Sequence, residues 1–271
     1  MKNVNNVIGA IVGDIVGSVY EFDNHRSKEF PLFSEGCFPT DDSIMTLAIA
    51  KALILSDGNY ENLSELAVSS MQEVGRPYHE CGYGGRFYGW MYSNNPKPYN
   101  SLGNGAAMRV SAVASVANSL EEVKILSEKV TAVTHNHPEG IKGAEATAVG
   151  AWMAMNGYDK KEIIRKLEEY YSLDFTIDEI RPTYRFNETC METVPQAIEC
   201  FKEADDFEDT IRTAISLGGD SDTLAAIAGS IAGAYYGVPG WIEEKARSFL
   251  DDRLSEILDC FAVYVVSMKF N

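Results

Sequence analysis

The sequence predicts an all-α protein that folds as one domain over residues 1–271. Apolar residues recur at intervals of three and four, as at Val123, Leu126, Val130 and Val133, which is the period of an amphipathic helix. Alternating strand patterns are scarce. Clusters of Pro, Gly and Asn separate the periodic segments, and none is long enough to link two domains.

The composition is that of a globular chain with a strongly acidic surface. Hydrophobic residues make up 45% of it, enough for a buried core, and the net charge of -17 opposes broad contact with nucleic acid or an anionic membrane. No signal peptide or membrane-spanning run is recognisable, so we expect a cytoplasmic protein without a membrane partner. Five cysteines without a CxxC pair predict reduced thiols. We expect a monomer.

The first predicted helix carries a stripe of glycines. In IGAIVGDIVGSVYEF, Gly9, Gly13 and Gly17 recur every four residues and therefore share one helix face. Each interior glycine costs roughly 0.5 to 1 kcal/mol relative to alanine, so three of them indicate the close approach of a helix or ligand. Glu21 continues the series, and the residues alone favour an exposed helix end for it. Asp14 is expected to cap a helix or hold a loop.

Two later segments predict helices with a similar small face. Spacing by four residues in GAEATAVGAWMAMNG and DTLAAIAGSIAGAYYG produces one stripe in each, namely Gly143, Thr147 and Ala151, and Gly229, Gly233 and Gly237. The three helices are therefore expected to pack around a common centre. The C-terminal CFAVYVVSMKF has strand-like composition, but its length and position favour a buried last helix.

Two acid-rich clusters precede predicted helices. FPTDDSIM and SLGGDSDT contribute one cluster each, Thr40, Asp41 and Asp42 in the first and Asp220, Asp222 and Thr223 in the second. Helix capping would explain one such cluster alone. Two of them, each with more oxygens than a cap needs, predict a shared site. Carboxylates about 4 Å apart repel by about 4 kcal/mol at an effective dielectric constant near 20, so the cluster requires protons or cations.

Two divalent ions would balance the four aspartates. An all-oxygen set without Cys or His favours Mg²⁺ or Mn²⁺ over zinc or copper, and paired ions serve many hydrolases. His135 and His137 in THNHPEG offer a weaker metal site, because no third ligand is near and Pro138 fits a helix that starts at Glu139. His135 is nevertheless a candidate ligand contact.

A further small-residue turn, SLGNGAAMRVSAVA, leads into a predicted helix from about Ala106. Free N–H groups at a helix start can hold a phosphate group. The turn is neither a Walker motif nor a GxGxxG fingerprint, and no strand precedes it.

Taken together, these motifs resemble the ADP-ribosylglycohydrolase family along nearly the whole chain. The resemblance rests on GAIVGDIVGSVYEF, PTDDSIMTLAIA, GYGG, GNGAAMRVS, THNHPEGIKGA, ETVPQAIECF and AISLGGDSDTLAAIAGSIAGAYYG. It implies a compact all-α orthogonal bundle that hydrolyses an α-glycosidic bond and frees ADP-ribose from an acceptor. The acceptor would be an ADP-ribosylated protein side chain or part of an ADP-ribose-containing small molecule.

The resemblance also implies roles for particular residues. Glu21 matches an acidic residue that some members use in catalysis, where it would move a proton. Leu102 stands where some relatives carry an aromatic residue that could stack on adenine. The matching ligands of two Mg²⁺ or Mn²⁺ ions are Thr40, Asp41, Asp42, Asp220, Asp222 and Thr223. The matching substrate contacts are Gly84, Ser101, Gly103, Asn104, Gly105, Ala106 and His135.

Two alternative functions stay open. A binuclear metal centre with oxygen ligands would serve a phosphohydrolase equally well. A non-catalytic member that only binds ADP-ribose would be free to lose its metal ligands, whereas this chain keeps all six and Glu21.

Overall fold

A computed structural model of the chain describes residues 3–268. The all-α prediction is confirmed, since the only β pairing in that range is an isolated bridge between Gly103 and Thr189. Within residues 3–268, a turn of 3-10 helix at Arg76–Tyr78 accompanies fifteen α-helices. These are α1 (Asn5–Gly17), α2 (Asp41–Ser56), α3 (Leu63–Gly75), α4 (Gly85–Met91), α5 (Gly105–Met108), α6 (Ala112–Val116), α7 (Leu120–Thr131), α8 (Pro138–Met155), α9 (Lys160–Leu167), α10 (Ile177–Ile180), α11 (Cys190–Glu203), α12 (Phe207–Leu217), α13 (Ser221–Tyr236), α14 (Gly240–Arg247) and α15 (Asp252–Ser267).

Helices α1 and α13 pack against each other with almost no side chain between them. A Cβ atom added to Gly13 would lie 2.1 Å from the carbonyl oxygen of Ala225. One added to Gly17 would lie 2.3 Å from Cα of Asp222. The glycine stripe of α1 therefore brings the first turn of α13 beside the C-terminal end of α1.

The predicted stripes of small residues on α8 and α13 differ in how far they extend along the helix. On α8, a Cβ atom added to Gly143 would lie 2.5 Å from Sγ of Cys190, which confirms a close helix contact there. The stripe on α13 is shorter than predicted. Gly237 follows the helix end with a φ of 78°, a left-handed conformation that favours glycine, so it terminates α13 rather than packing along it.

A methyl group on the α1 face should test this packing. Gly13→Ala is expected to destabilise the protein by about 3 kcal/mol or more, because the new carbon would meet rigid backbone atoms of α13. Chemical denaturation of the purified variant measures the loss. Gly89→Ala is the matched control, since Gly89 lies in α4 with nothing within 4 Å of an added Cβ, and a gain of up to about 1 kcal/mol is expected. Equal stability of the two variants would contradict the close packing.

Several predicted helix boundaries can be compared with the structure. Helix α8 begins at Pro138, one residue earlier than expected, with His137 as its N-cap. The helix expected from Ala106 is only the short α5. The predicted last helix is confirmed as α15, but its expected burial holds for one face only, since Val263 and Val266 are exposed. Lys269 and Phe270 of that segment lie outside the described residues. In the described part of the chain, no helix combines the length and apolarity needed to cross a membrane.

Candidate functional site

A cavity of about 430 Å³ lies where the ends of α1, α2 and α13 meet. Most of the residues that the sequence singled out line it: Glu21, Asp41, Asp42, Gly84, Ser101, Gly103, Asn104, Gly105, His135, Asp220, Asp222 and Thr223. Thr40 and Ala106 are buried but do not line the cavity. The fold thus brings the two acid-rich clusters to one cleft, as the prediction of a shared site required.

Asp14 fixes the start of α2. Its carboxylate accepts hydrogen bonds from the backbone N–H groups of Thr40 and Ser43, both at 3.0 Å, and from the Thr40 hydroxyl at 2.6 Å. The predicted loop-holding role is therefore what the geometry shows. Thr40 in turn caps α2, since its Oγ1 accepts from the N–H of Asp42 at 3.3 Å. The start of α2 therefore combines a helix cap at Thr40 with clustered carboxylates at Asp14 and Asp42.

The start of α13 depends on a glycine pair. Gly218 and Gly219 have φ values of 70° and 71°, a left-handed conformation that other residues rarely adopt. A Cβ atom on Gly219 would also lie 2.7 Å from the Tyr184 ring. Asp220 follows as the N-cap of α13, and the Asn104 side-chain amide donates to its Oδ2 at 2.6 Å. Asn104, predicted to contact substrate, therefore directs its amide at a predicted metal ligand.

The carboxylates form two tight groups that share Asp222. In each group the oxygen atoms lie within 4.8 Å of one another, in one case those of Asp14, Asp42 and Asp222 and in the other those of Glu21, Asp220 and Asp222. The Thr223 hydroxyl donates to Asp42 Oδ2 at 3.3 Å, whereas the buried Oδ1 of Asp42 has no partner. Asp41 lines the cleft outside both groups. An oxygen-only cluster with an unpartnered buried carboxylate oxygen fits a hard cation.

Burial and mutual repulsion oppose ionisation of this cluster. Burial raises the pKa of Asp41, Asp42 and Asp222 well above the usual value, and neighbouring carboxylates raise it further. Burial, followed by the charges of Asp220 and other acids, raises the pKa of Glu21 to about 7. At neutral pH the negative charges of this cluster therefore require compensation by protons or cations.

The raised pKa values of the buried carboxyl groups predict how the stability of the metal-free protein responds to pH. Burial raises the pKa of Asp14 from 3.8 to about 6, so the folded state holds protons that the unfolded chain has already lost. The contribution of Asp14 to the free energy of unfolding is therefore fully present below about pH 4, and it is lost as the pH rises through about 6. We expect the melting temperature in a chelator to fall over this window relative to that in saturating Mn²⁺. If the difference between the melting temperatures in Mn²⁺ and in chelator became smaller as the pH rose, the prediction would be contradicted.

Glu21 lies in the turn after α1, half-buried, with its side chain on the cleft. The expectation of an exposed helix end is wrong, because α1 ends four residues earlier and the chain bends towards α13. Several hydrogen bonds hold the segment: Asn24 Oδ1 accepts from the N–H of Gly219 at 3.3 Å, and the Arg26 guanidinium donates to the carbonyl groups of Arg181, Tyr184 and Leu217. Glu21 is thereby tied to the turn that precedes Asp220.

The SLGNGAA turn, whose Asn104 amide reaches Asp220, is held by hydrogen bonds within the turn and to Glu188. The N–H groups of Gly103, Asn104 and Ala106 donate to Ser101 Oγ, the Glu188 carbonyl and the Gly103 carbonyl, at 3.1, 2.8 and 3.3 Å. These three donors, expected to be free for a phosphate, are occupied within the protein.

His135 stands beside the same turn. Its Nε2 lies 3.4 Å from the position that a Cβ atom on Gly105 would take, and its Nδ1 faces Thr134 and Arg109. Burial, together with the positive charge of Arg109, lowers the pKa of His135 well below its usual value. The ring is therefore neutral at physiological pH.

Sequence reasoning missed Arg109 and Glu188, both of which line the cleft. The available signal for Arg109 was its setting, a single arginine among small and apolar residues in GAAMRVSAVA. Glu188 is an exposed residue of the segment before α11, where no pattern marks it.

Comparisons with known proteins agree with this architecture. ADP-ribosylhydrolase ARH3 of Mus musculus is 27% identical, covering 85% of this chain and 82% of that protein. ADP-ribosylarginine hydrolase Tri1 of Pseudomonas putida is 26% identical, covering 93% of this chain and 76% of its own length. A solved structure described as an ADP-ribosylglycohydrolase-related protein complex shares the fold, with a TM-score of 0.70 at 23% identity over 98% of this chain and 99% of that one. Since residues 4–267 match the family model described as ADP-ribosylglycohydrolase, the chain belongs to that family.

Proposed function

We propose that the protein is a metal-dependent hydrolase that cleaves the glycosidic bond between ADP-ribose and an acceptor and releases ADP-ribose. Membership of the family and relatives named as ADP-ribosyl hydrolases support the hydrolase activity. The observation that carries the proposal is the buried carboxylate cluster with Glu21 beside it in one cleft. We also propose that residues 1–271 form a single domain that acts as a monomer.

The oxygen donors at the start of α2 and α13 would hold two Mg²⁺ or Mn²⁺ ions. The donor set lacks nitrogen and sulfur, and the unpartnered Asp42 Oδ1 is a buried acceptor that a cation would satisfy. When bound, such ions supply positive charge that polarises water and sugar hydroxyl groups. The proposed ligands are Thr40, Asp41, Asp42, Asp220, Asp222 and Thr223.

Glu21 would transfer the proton during bond cleavage. Its half-buried carboxyl group lies within 4.8 Å of oxygen atoms of Asp220 and Asp222, next to where the sugar would be held. A group whose pKa lies near the working pH can both accept and donate a proton. Asn104 and Asp14 keep the surrounding carboxylates in place through the hydrogen bonds described above.

Analysis of the products distinguishes this function from its alternatives. We expect a mono-ADP-ribosylated peptide to give free ADP-ribose and unmodified peptide when Mg²⁺ or Mn²⁺ is present, and no product in a chelator. Release of AMP would instead support phosphohydrolase chemistry, and binding without any product would support a non-catalytic role. Substrates linked through arginine, serine, a nucleic-acid end or an acetylated ribose, assayed side by side, would identify the acceptor.

A further inference from the structure

Arg109 is a buried cation on the cleft wall without a carboxylate partner. Its side chain is 1% exposed, and its Nε has no hydrogen-bond partner. The guanidinium lies 5.5 Å from the centre of the Phe87 ring, and it forms no ion pair within residues 3–268. Because an unpaired buried charge is strongly destabilising, such a residue requires a compensating role.

The contacts of Arg109 determine which nitrogen of His135 carries the proton. Arg109 Nη2 donates to Thr134 Oγ1 at 2.6 Å and lies 3.4 Å from His135 Nδ1. A guanidinium only donates, so the Thr134 oxygen accepts and its own O–H is left to donate. Nδ1 is 2.7 Å away, nearer than the Thr131 carbonyl at 3.4 Å. Nδ1 is therefore the acceptor, and the proton of the neutral ring is on Nε2.

Nε2 of His135 is available to a ligand. It makes no hydrogen bond with the described part of the chain and lies beside Gly103 and Gly105 on the cleft wall. Arg86, another lining residue, adds a second positive charge near His135. The cleft is therefore lined by arginines as well as by the carboxylate cluster, which complements a ligand that carries an anionic diphosphate next to a sugar.

We propose that Arg109 is a positioning residue that acts through Thr134 to hold His135 with Nε2–H directed into the cleft, where it donates to a phosphate oxygen of the ligand. The identity of the ligand rests on the proposed function, whereas the arrangement of the three side chains does not. Arg109 also supplies the buried positive charge behind that phosphate group.

The tautomer is tested directly by long-range ¹H–¹⁵N correlation spectra of the imidazole rings. The chain has four histidines, and a His135→Gln variant assigns the signal of interest. We expect a neutral His135 with the proton on Nε2 in the wild type and a shift towards the Nδ1–H form in Thr134→Val. Thr131→Val is the matched control, because the Thr131 hydroxyl is buried without a partner, and it should leave the tautomer unchanged.

Binding measurements test the effect on the ligand. Thr134→Val should weaken ADP-ribose binding by about 10-fold or more, as expected when a hydrogen bond to a charged group is lost. Mn²⁺ affinity, measured by calorimetry, should stay at the wild-type value, since the carboxylate cluster is intact. Arg109→Met, if it folds, should lose more ADP-ribose affinity than Thr134→Val and should also keep the wild-type Mn²⁺ affinity. If Arg109→Met does not fold, Thr134→Val alone still tests the inference.

Three results would overturn the inference. One is a wild-type His135 protonated on Nδ1, and another is unchanged ADP-ribose affinity in Thr134→Val. The third is a parallel loss of ADP-ribose and Mn²⁺ affinity, which would indicate a merely structural role. A wild-type protein that binds no ADP-ribose would refute the proposed function and the ligand part of this inference together, and the spectra would still test the arrangement of the side chains.

Discussion

Asp222→Asn is expected to lower metal affinity and hydrolytic activity together. Asp222 is the residue that both tight carboxylate groups share, so its substitution removes a charge from the centre of the proposed ligand set. Residues that only orient metal ligands are typically worth 10- to 100-fold in affinity, so a direct ligand should cost at least about 100-fold. Calorimetric titration with Mn²⁺ and a turnover assay on the same preparation measure the two losses.

Asp57→Asn provides the matched control for this substitution. Asp57 is exposed and follows α2 with a φ of 46°, a conformation that asparagine also adopts readily. Wild-type metal affinity and turnover are expected for it. Full metal affinity in Asp222→Asn would remove Asp222 from the proposed ligand set.

Glu21→Gln is expected to reduce kcat by roughly 10² to 10⁴, the usual effect of losing a general acid or base. The amide has the shape of the carboxyl group but cannot transfer the proton. ADP-ribose affinity and Mn²⁺ affinity should be largely kept, because Glu21 is not among the proposed metal ligands. Single-turnover kinetics with saturating substrate separates the loss of chemistry from any change in binding.

Glu29→Gln is a suitable control for Glu21→Gln. Glu29 is exposed in the same connection between α1 and α2 and does not line the cleft. Its turnover should equal that of the wild type. If Glu21→Gln kept full turnover as well, Glu21 could not be the residue that moves the proton.

The fold was predictable to the extent that local spacing determines it. Helical periodicity and scarce strand patterns were sufficient for the all-α class. The stripe at Gly9, Gly13 and Gly17 correctly indicated close packing, but a stripe of small residues does not specify its partner. That the partner is α13 follows only from the tertiary structure. Gly237 was misassigned because a glycine that terminates a helix can have the same spacing as one that packs within it.

The candidate site was predictable where residues that are neighbours in the sequence carry its chemistry. The carboxylate pairs at the starts of α2 and α13 stood out because a helix cap needs fewer oxygens. Contacts between residues that are far apart in the sequence produce no recognisable sequence pattern. Arg109 and Thr134 are 25 positions apart, and Asn104 and Asp220 are 116 apart, so neither pairing could be read from a single sequence. Resemblance to a family corrected the interpretation of Glu21, which spacing alone had assigned to solvent.

The close packing of α1 against α13 limits how this protein can be redesigned. A Cβ atom on Gly9 would lie 2.1 Å from the Gly229 carbonyl oxygen, and backbone atoms have no rotamers with which to make room. Substitutions there would move Glu21 relative to the carboxylates of α13 without touching any ligand. An engineer who wants a new acceptor should therefore leave the two helices intact and vary the rim, where Phe22 and Phe186 are 82% and 40% exposed.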